Sequence, residues 1–119
     1  MTKATGFDFE AIQQGIERLD AEALIELYAD DAELRSVNRH AQPRSPEILR
    51  GKTAIARHLR DVCSQNIKAE VTRQVFGDDG MAYLLSLEYP DGRRLMCATL
   101  LEVSKGKIAK EVGIQAWDE

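Results

Sequence analysis

The chain has 119 residues, 44% hydrophobic and 30% charged, with a formal net charge of −4 from 16 basic and 20 acidic side chains. That length supports one domain, residues 1–119, around a single core, and the mixture is that of a globular chain rather than a disordered one. Interleaved charge with an acidic balance leaves no basic face for nucleic acid, and no apolar run is long enough to cross a membrane.

The opening segment Met1-Thr2-Lys3-Ala4-Thr5-Gly6-Phe7 lacks an apolar signal core, so the expected compartment is the cytosol. Thr5 with Asp8 is read as a capping box, and Phe9, Ile12, Ile16 and Leu19 recur at helical spacing, predicting a first helix from Phe7 to Leu19. Asp20 is a good N-cap for a short second helix that buries Ala23, Leu24, Leu27 and Tyr28. Negative charge is unfavourable at a helix C-terminus, so Asp30 and Asp31 are placed in the turn that follows, as Asx-type caps. Two adjacent carboxylates with no neighbouring histidine are poor grounds for a metal, and none is expected. Ala32 to Val37 reads as a strand and Asn38 to Arg50 as a long polar loop carrying Pro43 and Pro46, with a short strand at Glu47 to Leu49. Ile55, Leu59 and Val62 form the stripe of a third helix, and His58 beside it is read as a half-buried, satisfied histidine. Gly51-Lys52-Thr53 resembles the end of a phosphate loop, but Pro46 stands where that loop needs glycine.

The second half changes to a period of two. Ala69, Val71, Arg73 and Val75 alternate with polar neighbours; so do Met81 to Tyr89, Leu95 to Val103 and Lys107 to Trp117. Turn signals at Gly77-Asp78-Asp79-Gly80, Pro90-Asp91-Gly92 and Lys105-Gly106 separate these runs, implying an antiparallel meander. Helices first and strands after is the pattern of an α+β domain. Cys63 and Cys97 fit no metal or redox spacing and read as buried free thiols.

The order of these pieces resembles the nuclear transport factor 2-like superfamily, especially its SnoaL-like and ketosteroid isomerase-like branch. The likeness is carried by Leu27-Tyr28-Ala29-Asp30-Asp31-Ala32, by Leu49-Arg50-Gly51-Lys52-Thr53-Ala54-Ile55, and by Leu87-Glu88-Tyr89 and Gly106-Lys107-Ile108. The resemblance implies a cone-shaped bent antiparallel sheet wrapped around N-terminal helices, a cystatin-like α+β barrel, with a pocket at the open end. It also implies a homodimer through the outer sheet face, which Val112 and Ile114 on the outward phase support independently. Such a fold hosts isomerases, cyclases, dehydratases and binding proteins, so it does not assign a reaction.

Ketosteroid isomerases place a carboxylate base on the first strand and two acidic donors opposite it. Here the base position holds Ser36, the tyrosine position near Ile12 is not a tyrosine, and the donor position near Thr99 or Leu101 is not acidic. That mechanism is therefore not expected. If Tyr83, Leu85 and Leu87 face the cone interior, the sheet phase implied by the resemblance puts Cys97, Thr99, Leu101, Glu111, Gly113, Gln115 and Trp117 beside them, a mostly apolar set with few polar groups, the usual composition of a small-molecule site. The same side chains could equally fill a core, but Glu111 and Gln115 would then need partners. His40, flanked by Arg39 and Arg44 on the rim loop, is either a solvated histidine or one that steers an anionic or carbonyl-bearing ligand. The leading reading is a pocket for a small, largely apolar ligand, with no cofactor and no assigned reaction. The alternatives are an isomerase- or cyclase-type enzyme using His40, Glu111 or a displaced carboxylate, and a non-catalytic dimeric accessory module.

Overall fold

The computed structural model describes residues 7–118. Nine elements follow one another: α1 (Phe9–Glu17), α2 (Ala21–Ile25), β1 (Tyr28–Val37), β2 (Glu47–Arg50), α3 (Lys52–Cys63), β3 (Lys68–Phe76), β4 (Gly80–Glu88), β5 (Arg94–Ser104) and β6 (Lys107–Trp117). Asp8 caps α1 by accepting from the Glu10 amide at 3.0 Å, and Asp20 caps α2 by accepting from Ala23 at 3.2 Å. Thr5, the other half of the expected capping box, lies outside the described residues. The two short helices approach closely at Gly15, where a Cβ would stand 2.7 Å from the Leu24 side chain.

The class is α+β, with all six strands in one sheet of order β2-β1-β6-β5-β4-β3. Two features depart from an all-antiparallel barrel. β1 joins β6 in parallel, with Leu34 opposite Glu111 and Ser36 opposite Gly113, and β2 and β3 end the sheet without pairing to each other, so it stays open. β1 also begins earlier than its sequence suggests. Asp30 and Asp31 lie within the strand, not in a capping turn, where a register shift between Tyr28 and Glu33 accommodates them at the surface.

The helices cover one face of the sheet: α1 packs on β3 and α2, and α3 on β1, β2 and α2. β5 alternates buried and exposed over its whole length, as its sequence reads. β3 does not. A bulge between Val71 and Arg73 reverses its phase, so Val71 is buried while Val75, expected on the same face, is 68% exposed. Beyond the bulge Gln74 and Phe76 face α1, where Gln74 donates to Gln13 at 2.7 Å and Phe76 meets the Phe9 ring at 5.3 Å. Glu17 of α1 accepts from the Val71 amide at 2.9 Å, satisfying a backbone donor at the bulge on the open edge. Phe7, Phe9, Ile12, Ile55, Leu101 and Ile108 lie at the centre of the core. Among the described residues no helix is long and apolar enough to cross a membrane.

Candidate functional site

Strand pairing stacks the inward side chains in rows across the concave face. One row runs Leu34, Glu111, Leu101, Met81; the next Ser36, Gly113, Thr99, Tyr83; the next Gln115, Cys97, Leu85; and the last Trp117, Leu95, Leu87. Helices α1 and α3 close over these rows with Ile12, Ile16, Leu59 and Val62. Between sheet and helices lies a cavity of about 170 Å³. Gly113 helps to leave this space open: it sits mid-row between Ser36 and Thr99, and a Cβ there would already touch the Cys97 sulfur at 3.4 Å.

Seven of the expected site residues border the cavity: Tyr83, Leu85, Leu87, Cys97, Thr99, Glu111 and Gln115. Three lie elsewhere. Leu101 is fully buried behind the lining in the core. Trp117 and His40 line a second recess at the mouth, which Gln115 and Tyr89 share with the cavity. His58 touches the cavity edge but is exposed, not half-buried, because it stands at the solvent side of the α3 stripe. Cys97 is a buried free thiol and Cys63 only partly so; both border the cavity.

The chemistry of the site centres on Glu111. This residue is half-buried and borders the cavity. The Tyr28 hydroxyl donates to Glu111 Oε1, and Oε2 has no hydrogen bond among the described residues. Burial raises the Glu111 pKa above the usual carboxylate value, and the Tyr28 hydrogen bond opposes that rise. The two phenols move in the same direction. Tyr28 and Tyr83 are held well above the ordinary tyrosine value, first by burial and then by the negative charge of Glu111, so both are hydrogen-bond donors at neutral pH. Thr99, opposite Tyr83 in its row, is 4% exposed and meets the Cys97 sulfur at 3.5 Å. Burial also raises the Cys97 thiol, which is neutral and not an activated nucleophile.

The polar groups nearer the mouth are engaged with one another. Gln115 Oε1 accepts from the Trp117 indole at 3.0 Å, and Ser36 Oγ from the Asn38 amide at 3.0 Å. Trp117 stacks on Tyr89 with ring centres 5.5 Å apart, and the Arg39 guanidinium lies 4.2 Å above the Trp117 ring.

Sequence reasoning placed Tyr28 on the second helix and so missed it as a site residue. The parallel β1–β6 pairing brings it to Glu111 across 83 positions of sequence, and no local period signals such a pairing. Ser36 and Tyr89 border the cavity as well, as does Gly113, which the inward set included.

A SnoaL-like domain model matches residues 9–111. No curated protein matches the chain. Among solved structures, an NTF2-like protein of unknown function from Mesorhizobium loti superposes with a TM-score of 0.80 at 16% identity, covering 90% of this chain and 86% of its own. A provisionally named ketosteroid isomerase from Kribbella flavida DSM 17836 gives 0.73 at 21% identity, covering 92% and 74%. A de novo designed protein with a curved β-sheet gives 0.73 at 14% identity, covering 90% and 83%. At such identities the likeness is one of fold, and the designed protein shows that this fold can be built without natural descent. With a domain match over most of its length and an open, helix-covered sheet that superposes on NTF2-like proteins, the chain belongs to the SnoaL-like family.

Proposed function

We propose that this protein binds a small, largely apolar molecule in the cavity under α1 and α3 and moves a proton to or from it through Glu111. One observation carries the reading: a carboxyl with a raised pKa, hydrogen-bonded by Tyr28 on one oxygen only, borders an otherwise mostly apolar cavity. A carboxyl whose pKa burial raises, inside a cleft, is a candidate proton-transfer group, and the rise makes its carboxylate a stronger base. Tyr83 and Thr99, one row nearer the mouth, are suited to donate to a reacting oxygen as charge develops on it. This is isomerase- or cyclase-type chemistry on a carbonyl compound, with the carboxylate on β6 and not on the first strand, where Ser36 stands. The outer sheet face, with Met96, Leu100 and Ile114 exposed, supports a homodimer.

The test uses small cyclic and aryl ketones. Thermal-shift screening identifies binders, since binding to the folded state raises apparent stability. Deuterium uptake at the carbon beside the carbonyl, followed by NMR in heavy water, then reads proton transfer. Wild type should catalyse uptake, and Glu111→Gln should keep binding while losing uptake by at least about 100-fold, the usual contribution of a general base. Equal uptake by the two proteins would remove Glu111 from the mechanism. Ser36→Asp alone should create no good steroid isomerase activity, because the acidic donors that chemistry uses, expected near Ile12 and near Thr99 or Leu101, are absent there.

A further inference from the structure

We infer that the mouth of the cavity binds the carboxylate end of an elongated ligand through Arg39, so that the molecule taken up is a small amphipathic acid with its apolar body inside. The inference deepens the cavity reading above and rests on it.

The cavity and the mouth recess lie side by side, with Gln115 and Tyr89 bordering both. The recess is polar where the cavity is apolar. Its inner wall is the stacked pair Tyr89 and Trp117, and two guanidinium groups lie against that pair. Arg39 sits 4.2 Å from the Trp117 ring centre; Arg93 sits 5.0 Å from Tyr89 and 5.5 Å from Trp117. A guanidinium lying on an aromatic face is held in orientation while its N–H edges remain free, and those edges match a carboxylate in a bidentate fork.

The two arginines differ. Arg93 already donates from Nε to Asp91 at 2.7 Å. Arg39 has no carboxylate within 4.0 Å among the described residues, although Glu47 and Asp61 line the same recess. Those two acids set the charge the site tolerates. Against them a single carboxylate is favoured over a dianionic phosphate, because each added negative charge is repelled by both.

Geometry sets the length. Glu111 and Gln115 lie four residues apart on one strand, about 13 Å at the usual rise, with Trp117 beyond. A molecule that runs from Glu111 to Gln115 therefore carries a chain or ring system of about ten atoms along the cavity, given about 1.3 Å of reach per bonded atom within that strand distance, before its carboxylate reaches Arg39 over Trp117.

Decanoate and 1-decanol test this as probes, because they share the apolar body and differ in the head group. Isothermal calorimetry on the whole protein should find decanoate bound at least tenfold more tightly than decanol. Arg39→Gln should raise the decanoate Kd at least tenfold and leave decanol unchanged. Arg39→Lys should fall between, since it keeps the charge and loses the fork. Equal affinity for the two probes, or decanoate binding indifferent to Arg39→Gln, overturns the head-group assignment alone. Failure of both probes, together with failure of every neutral ketone to bind, overturns the cavity reading and this inference with it. Arg39 is exposed and outside the core, so its variants are expected to fold as wild type does.

Discussion

At the scale of single residues, Glu111 has a measurable signature apart from any ligand. Its pKa is raised by burial, so between the ordinary carboxylate value and its own the folded chain holds a proton that the unfolded chain has released. Stability contributed by this group is therefore greatest below the unfolded pKa and falls as pH rises through the folded one. Glu111→Gln removes the titration and leaves every other carboxylate in place. Urea denaturation of both proteins from pH 4 to 8 should give a difference curve in which wild type loses stability with rising pH, at no more than about 1.4 kcal/mol per pH for one proton. A flat or rising difference curve would show that Glu111 is not held up. Tyr28→Phe sharpens the same test. It removes the hydrogen bond that opposes the rise, so the descending limb should move to higher pH, with a loss of about 1–3 kcal/mol where the carboxylate is charged.

At the scale of elements, the cavity depends on what β5 and β6 present beneath the helices. Thr99 and Gly113 are direct partners in the row next to Glu111, and their small size keeps that row low. Thr99→Trp would fill the space. If the space is a binding site, the variant should abolish ligand-induced thermal stabilisation at a cost of about 1–3 kcal/mol in urea denaturation, the ordinary overpacking penalty. Severe loss of folding would mean that the rows are close-packed core. The opposite wall hangs on α1, which is held over the open β3 edge by Glu17 on the Val71 amide and by Gln13 on Gln74. Glu17→Ala leaves the bulge amide without its acceptor. The variant should destabilise by about 1–3 kcal/mol, read by denaturation, since an orphaned donor carries its full desolvation cost.

At the scale of the whole molecule, the sheet has a second apolar face. Val75, Leu84, Ala98, Leu100, Val112 and Ile114 line a shallow recess on the side away from the helices. Ile114 is 54% exposed and Leu100 49%, on neighbouring strands of the same face. Contiguous apolar surface of this kind marks an interaction site, and a two-fold pairing lets one patch cover its own copy. Wild type should sediment as a dimer at micromolar concentration and Val112→Lys with Ile114→Lys as a monomer. A monomeric wild type would leave the face unexplained and remove the homodimer.

How much of this was readable in the sequence depends on the range of the interaction that decides it. The Asp20 cap, the α3 stripe, the alternation of β5, the span Lys107–Trp117 and the turns between the strands all follow from neighbours in the chain, and the sequence alone determined them; Asp8, read as the downstream partner of Thr5 in a capping box, is itself the N-cap, so α1 starts at Phe9 and not at Phe7. The α+β class follows from the same local periods, while the inward phase of Glu111, Gln115 and Tyr83 was read from the family resemblance. Three things were settled only by tertiary structure. The parallel pairing of β1 with β6 drew Asp30 and Asp31 into a strand and brought Tyr28 to Glu111. The bulge in β3 reversed the phase after Val71, so Val75 faces out and Phe76 packs on α1. The strand rows separated Leu101 in the core from Trp117 at the mouth, though both share the inward phase. A period of two says which side of a sheet a residue faces; it carries nothing about depth, about an inserted residue on one strand, or about which distant strand lies alongside, because those are fixed by contacts between segments far apart in the chain.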